Sequence, residues 1–167
     1  MAKKIVNFLM GLFGGLISTM FGKYLFIFII SLLPILELRG GLIAASLLDM
    51  PMWSSVLVCL SANILIIPIV LFLMEKILDL FSNFRLIKWW KERALSKKGI
   101  IEKYGYTGIM LFVAIPLPGS GAWTGCLLAV LLGLDKKKSF LASLLGVIIA
   151  SIIMLVFSYG ILKGIVN

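Results

Sequence analysis

Residues 33–41 read LPILELRGG and interrupt an apolar segment that extends from Tyr24 to Leu48. The arm on each side of this break has about 9–13 residues, which makes roughly 14–20 Å of helix. The hydrocarbon core of a bilayer is about 30 Å thick, so neither arm can cross it alone. The sequence therefore predicts two short helices joined by a break that contains proline and glycine.

A second break of the same kind lies at residues 116–125, which read PLPGSGAWTG. When the first break is placed over the second, several residues align: Pro34 with Pro118, Gly41 with Gly125, Ala45 with Ala129 and Ser55 with Ser139. These residues are common in membranes, but both halves also share an order of short arm, break, short arm, loop and full-length apolar segment. Broken segments at matching positions of two halves are typical of transporters.

The composition points to a membrane protein. The chain is 62% hydrophobic and only 14% charged, whereas soluble domains are about half apolar and about a quarter charged. Helices satisfy their own backbone hydrogen bonds in a bilayer. The 167 residues therefore predict a single all-α membrane domain.

The residue types also restrict the chemistry. The chain contains no histidine, which excludes a histidine-ligated metal and a histidine-based catalytic group. Cys59 and Cys126 lack the spacing of a zinc site or a redox motif. We therefore expect no catalytic residue, no metal and no cofactor, and we do not expect an enzyme.

Three apolar segments are long enough to cross a membrane, at residues 5–22, 53–74 and 139–162. The first follows Lys3 and Lys4 and lacks a small-x-small cleavage site, so we interpret it as an uncleaved anchor. The second contains Asn63 and Pro68, which need partners from neighbouring helices. Domain 1–167 then comprises an anchor (5–22), a first repeat (24–78), a basic interfacial segment (79–103) and a second repeat (104–163).

The basic residues predict the topology. The net charge is +9, and the positive-inside rule explains this excess without nucleic-acid binding. If both broken segments crossed fully, the basic loop 76–103 and the cluster 136–138 would lie on opposite sides of the membrane. If both are re-entrant, these groups and Lys3 and Lys4 all lie on the cytoplasmic side. We prefer the second topology, an inverted repeat of two re-entrant helical hairpins with about three transmembrane helices.

The segment between the halves mixes aromatic and basic residues. This pattern indicates an amphipathic helix that lies in the interface and contacts anionic lipid headgroups. A solvated connector is the alternative. The predicted membrane-contacting residues are Arg85, Lys88, Trp89, Trp90, Lys91 and Arg93.

The hairpin tips are the candidate substrate site. Charged groups within a membrane are costly and usually functional, although Glu37 and Arg39 could also form a structural pair. The helix N-termini after each break and Arg39 favour an anionic group such as a phosphate, and Glu37 could carry a proton. The predicted substrate-binding residues are Glu37, Arg39, Gly40, Gly41, Pro118, Gly119, Ser120, Gly121, Trp123 and Thr124.

Both tip sequences, at residues 34–41 and 116–125, resemble those of the bacterial small multidrug export proteins. This resemblance implies efflux of small amphiphiles across the bacterial cell (cytoplasmic) membrane. A remoter similarity to the DedA/VTT membrane proteins implies re-entrant hairpins and translocation of lipids such as undecaprenyl phosphate. Glu37 matches the acidic residue of that group's first hairpin. The arginines of its second hairpin have no counterpart at 104–134, so Arg39 would have to replace them.

Three functions follow as hypotheses. The first is translocation of an anionic amphiphile such as a lipid phosphate, and the second is export of lipophilic cations with Glu37 as the counter-charge. The third, from another class, is a non-transporting scaffold that binds a partner through the basic loop. Membrane lipids are expected partners, and a homodimer would complete a bundle that is thin for a solute path.

Overall fold

The computed structural model describes residues 11, 14–80, 88–89, 92, 95–96, 98–116 and 120–161. Within these ranges the chain forms helices and no strand, which confirms the all-α class. The helices are α1 (Met20–Leu32), α2 (Glu37–Leu47), α3 (Met52–Leu80), α4 (Lys98–Ala114), α5 (Ala122–Leu131) and α6 (Lys136–Leu155), and a π-helical turn (Val156–Ile161) follows α6.

Two helices in the described part of the chain are long and apolar enough to cross a membrane. The first apolar segment is Met52–Met74 of α3, and the second is Lys136–Ser158, which comprises α6 and the start of the π-helical turn; each has 23 residues. At about 1.5 Å per residue each is roughly 34 Å long, against a hydrocarbon core of about 30 Å. Both match predicted spans. Residues 5–10, 12 and 13 of the predicted anchor at 5–22 lie outside the described residues.

The helical structure of the predicted anchor segment is interrupted at Thr19. Residues Leu16–Ser18 form a short 3-10 helix, and the backbone is extended at Thr19. The Thr19 side chain then accepts a hydrogen bond from the backbone N–H of Gly22 at 3.1 Å. This N-cap starts α1 at Met20, because a threonine oxygen satisfies an N–H that the first helical turn leaves open. The first arm therefore begins at Met20 rather than at Tyr24.

The chain divides into two compact units, one of residues 1–63 and 151–167 and the other of residues 64–150. Each unit contains one hairpin of short helices, α1 with α2 in the first and α4 with α5 in the second. The long helices α3 and α6 each contribute a part to both units.

In the first unit, α1 ends where the sequence predicts a break. Leu33 has an extended backbone, because the ring of the following Pro34 disfavours a helical conformation at the preceding residue. The carbonyl of Ser31 therefore has no helical donor four residues later. The side-chain amide of Asn63 donates to this carbonyl at 3.1 Å and to the Cys59 carbonyl at 3.1 Å. The predicted need of Asn63 for a partner is confirmed.

Gly41 is the point where three helices of the first unit meet. A Cβ at this position would overlap the Ser31 hydroxyl of α1 and lie 2.7 Å from the Cys59 sulfur of α3. It would also lie 3.1 Å from the Ile27 carbonyl. Only glycine lets α2 approach its neighbours this closely.

The second unit is built in a similar way around Val113 of α4. A Cβ at Gly125 of α5 would lie 2.6 Å from a Val113 methyl group, and one at Gly146 of α6 would lie 2.7 Å from the Val113 Cβ. Helix α4 itself is interrupted at Gly105, where φ is 57° and ψ is −131°. Its first turns therefore belong to the predicted basic segment, and the arm of the hairpin begins after Gly105.

The two second arms end in the same way at positions 84 residues apart. The residues after α2 and α5, Asp49 and Gly133, have left-handed backbones with φ of 51° and 63°. In both loops the next N–H donates to the carbonyl five residues earlier: Met50 to Ala45 at 3.0 Å and Leu134 to Ala129 at 2.9 Å. This bond is typical of a helix terminus with a left-handed residue. The offset that aligns the two prolines therefore also aligns these hydrogen bonds.

The π-helical turn at the end of α6 contacts α2 in the first unit. The hydroxyl of Ser46, which is buried near the end of α2, donates to the backbone carbonyl of Ser158 at 2.7 Å. A π-helix forms its backbone bonds between residues five apart and leaves its carbonyls differently oriented from those of an α-helix. The turn thus supplies an acceptor for a buried hydroxyl.

The close packing at Gly41 predicts a position that is sensitive to a single methyl group. Gly41→Ala should lower the free energy of unfolding by about 1–3 kcal/mol, the usual range for an overpacked core. The measurement is the thermal unfolding midpoint of the purified protein in detergent. Gly99→Ala is the matched control, because a Cβ at Gly99 meets no atom within 4 Å. Equal stability of the two variants would contradict the packing role.

Candidate functional site

The tip of the first hairpin contains a buried and strained carboxylate. Glu37 is the first residue of α2 and is only 5% exposed. Its φ is 48°, a left-handed conformation that costs a residue with a side chain roughly 1–2 kcal/mol. Its N–H donates to the Leu33 carbonyl at 2.9 Å, which closes the turn. A strained backbone that carries a buried ionisable group is characteristic of functional sites.

Arg39 lies two residues further along α2 and is only partly buried. Its guanidinium and the Glu37 carboxylate interact electrostatically. The carboxylate is covered by protein, whereas part of the arginine reaches the surface. The accessible charge at this tip is therefore positive.

Gly40 and Gly41 were predicted to let a substrate approach the backbone. Both are buried, and protein atoms occupy the space on the side where a Cβ would lie. At Gly40 that Cβ would be 2.5 Å from the Leu36 Cβ and 3.2 Å from an Ile30 methyl group. The structure thus explains both glycines by helix packing, and a contact of their backbone with substrate stays a prediction.

The tip of the second hairpin is polar but uncharged. Ser120 is buried, and its hydroxyl donates to the Ile115 carbonyl at 2.7 Å, across the break. Gly121 has φ 141° and precedes α5, in a region of backbone conformation that favours glycine. Trp123 and Thr124 follow in the first turn of α5 and are partly buried.

Several predicted residues lie outside the described part of the chain. In the second tip these are Pro118 and Gly119, and in the basic segment they are Arg85, Trp90, Lys91 and Arg93. Lys88 and Trp89 of the same segment are exposed. Helix α3 continues to Leu80 and α4 begins at Lys98, so both helices overlap the ends of the predicted interfacial segment. Its contact with the membrane stays a prediction.

Each hairpin is also held at the end opposite its break, which sequence reasoning missed. At the first mouth (residues 19–24 and 48–54), Tyr24 and Ser54 share a hydrogen bond of 2.7 Å, and Lys23 donates to the Leu48 carbonyl at 3.2 Å. At the second mouth (residues 103–106 and 132–138), the Asp135 N–H donates to the Tyr106 hydroxyl at 3.2 Å. A tyrosine near the start of each first arm is the signal that could have indicated these bonds.

The structure therefore brings Glu37 and Arg39 together in one unit, and Ser120, Gly121, Trp123 and Thr124 in the other. A family model described as "Putative small multi-drug export protein" matches residues 37–153, which include both tips. The chain belongs to this family.

The match of the small multi-drug export protein family begins at the strained Glu37 and extends into α6. It confirms the resemblance seen in the two tip sequences and a membrane location. No curated protein matches the chain, and no solved structure matches it. The remoter similarity to DedA/VTT proteins stays a prediction.

The left-handed backbone of Glu37 predicts an unusual order of stability among its variants. Glu37→Gly removes the side chain but fits a φ of 48° without strain. Glu37→Gln keeps the size and the strain and loses the charge. We expect the glycine variant to be more stable than the glutamine variant by about 1 kcal/mol, as measured by thermal unfolding in detergent. A glutamine variant of equal or higher stability would contradict the strain.

Proposed function

We propose that this member of the small multi-drug export family carries an amphiphile across the membrane, with the hairpin tips as its binding site. The two hairpins would be re-entrant and together form an inverted repeat. Three short helices support this proposal: α1, α2 and α5 have 13, 11 and 10 residues, or about 15–20 Å of helix each. None of them could cross a core of about 30 Å. The aligned ends of α2 and α5 support a repeat.

The charges at the two mouths favour opposite orientations of the hairpins. The first mouth carries Lys23 and Asp49, whose opposite charges sum to zero. The second mouth carries four lysines against Asp135: Lys103, Lys136, Lys137 and Lys138. By the positive-inside rule the second mouth would face the cytoplasm, together with the loop 76–103. The first hairpin would then enter the bacterial cytoplasmic membrane from the outside.

The observation that carries the substrate assignment is the accessibility of the two charges at the first tip. Glu37 is covered and Arg39 is partly exposed, so a ligand that reaches this tip meets a cation. The N-terminus of α2 adds a partial positive charge. We therefore infer an anionic headgroup, such as the phosphate of undecaprenyl phosphate or of another lipid phosphate. Glu37 would hold the Arg39 guanidinium in place. It could exchange a proton when the ligand anion replaces it beside Arg39.

Export of lipophilic cations is a second candidate, because the family description names drug export. In this mechanism Glu37 would be the counter-charge of the ligand and would have to leave Arg39 when the ligand binds. The two candidates require different residues, so they predict different variants to fail.

Ligand-dependent thermal stability would separate the candidates. We expect a polyprenyl phosphate at about one hundred times its Kd to stabilise the wild type by about 2.7 kcal/mol, which raises the unfolding midpoint by roughly 5–10 °C. Arg39→Ala should lose this shift and Arg39→Lys should keep part of it, because the charge remains. The exposed Lys76 provides the matched control, and Lys76→Ala should respond as the wild type does.

The opposite results are equally informative. Stabilisation by tetraphenylphosphonium that is lost in Glu37→Gln and kept in Arg39→Ala would assign the protein to cation export. A full response of Arg39→Ala to the phosphate would contradict the site proposed here. If neither ligand stabilised the wild type, the scaffold hypothesis would be favoured instead.

A further inference from the structure

We propose that the second mouth and the adjoining outer face of α6 bind an anionic phospholipid. The headgroup would lie on lysines at the mouth, and an acyl chain would follow the helix. The proposal concerns a resident lipid rather than the transported substrate, and it involves none of the tip residues.

The lysines at this mouth lie close to aromatic rings of α3 and α4. The ammonium groups of Lys103, Lys136 and Lys138 lie above the rings of Tyr104, Phe72 and Tyr106, at 5.2, 5.6 and 5.8 Å from the ring centres. We call these six residues the lysine–aromatic cluster. Distances within about 6 Å allow a cation–π attraction. The cluster therefore fixes three cations at one end of the second unit.

Two rings of the cluster are suited to the membrane interface. Phe72 and Tyr104 are 54% and 52% exposed. Phe72 also lies two residues before the end of the apolar segment Met52–Met74. Aromatic rings beside lysines are typical of the level of the headgroups. The position of Phe72 therefore sets Lys136 at the edge of the hydrocarbon core.

The second mouth carries an excess of positive charge. Lys136, Lys137 and Lys138 occupy the first turn of α6, where the positive end of the helix dipole disfavours cations. The two carboxylates nearby are fewer than the lysines. Asp135 accepts a hydrogen bond from the Lys138 N–H at 2.9 Å, and Glu102 pairs with Lys98 at 3.4 Å. An anion supplied by the lipid would offset the remaining charge.

The outer face of α6 continues from these lysines as an apolar stripe. Exposed side chains follow one another at helical spacing, three or four residues apart: Lys137, Leu141, Leu145 and Ile148. Leu141 and Leu145 are 58% and 52% exposed. The stripe is roughly 16 Å long and could cover an acyl chain of one leaflet, which is about 15 Å thick. A cation at one end of an apolar stripe matches a phospholipid with a negative headgroup.

The experiment compares phosphatidylglycerol with phosphatidylcholine as additives to the protein in detergent. Both lipids carry a phosphate, but only the first has a net negative charge. We expect phosphatidylglycerol to raise the unfolding midpoint by roughly 5–10 °C more than phosphatidylcholine at saturation. The variant Lys137→Gln with Lys138→Gln should bind it roughly 10- to 30-fold more weakly, with an unchanged midpoint in phosphatidylcholine.

The matched control removes the same number of charges elsewhere, with Lys76→Gln and Lys98→Gln together. Its affinity for phosphatidylglycerol should stay within about twofold of the wild type, since neither lysine lies at the second mouth. An equal loss in the control would show that only net charge matters and would overturn the proposal. Equal stabilisation by the two lipids would overturn it as well.

Two further experiments distinguish this proposal from binding of the headgroup alone and from binding of the lipid at the first tip. Glycerol phosphate carries the headgroup charge without acyl chains and should not raise the midpoint. A rise equal to that with the lipid would overturn the role of the α6 stripe. Arg39→Ala should respond to phosphatidylglycerol as the wild type does, whatever its response to a polyprenyl phosphate. Loss of the phosphatidylglycerol response in this variant would assign the lipid to the tip and overturn the proposal.

Discussion

The broken helices depend on satisfying backbone carbonyls inside the protein. A helix that stops within apolar surroundings leaves carbonyls without donors, and each of these costs several kcal/mol in hydrocarbon. In the first unit the amide of Asn63 donates to the open carbonyl of Ser31. In the second, the Ser120 hydroxyl donates to the carbonyl of Ile115. These two donors stabilise the breaks between apolar helices and help to fix the position of the tips.

Close packing around glycine is the second requirement of this architecture. Short arms bury little surface, so they must approach their neighbours closely to gain enough dispersion energy. Gly41 in the first unit and Gly125 and Gly146 in the second permit this approach. The units use different partners for it, since polar groups of Ser31 and Cys59 surround Gly41 whereas Val113 lies between the two glycines of the second unit.

Much of the fold follows from the sequence because its strongest signals are local. The prolines ended the first arms as expected, and the lengths of the apolar runs indicated two of the long helices. The N-cap of α1 at Thr19 was missed, because a threonine within an apolar run can be either a helical residue or a cap. The packing around Gly40 and Gly41 was missed as well, because a sequence does not show which side of a helix is already occupied. The strain at Glu37 could not be foreseen either, since a left-handed backbone is not a property of glutamate. It arises from the tight turn after Pro34.

The π-helical turn after α6 has a consequence for the evolution of the chain. A π-helical turn encloses one more residue between its hydrogen-bonded groups than an α-helix does. Loss of one residue between 156 and 161 would therefore favour regular α-helical winding and reorient the carbonyls of this turn. The carbonyl of Ser158 would then turn away from Ser46, and a buried hydroxyl would lose its acceptor. This end of the protein should therefore tolerate substitutions on its outer face far better than changes in length.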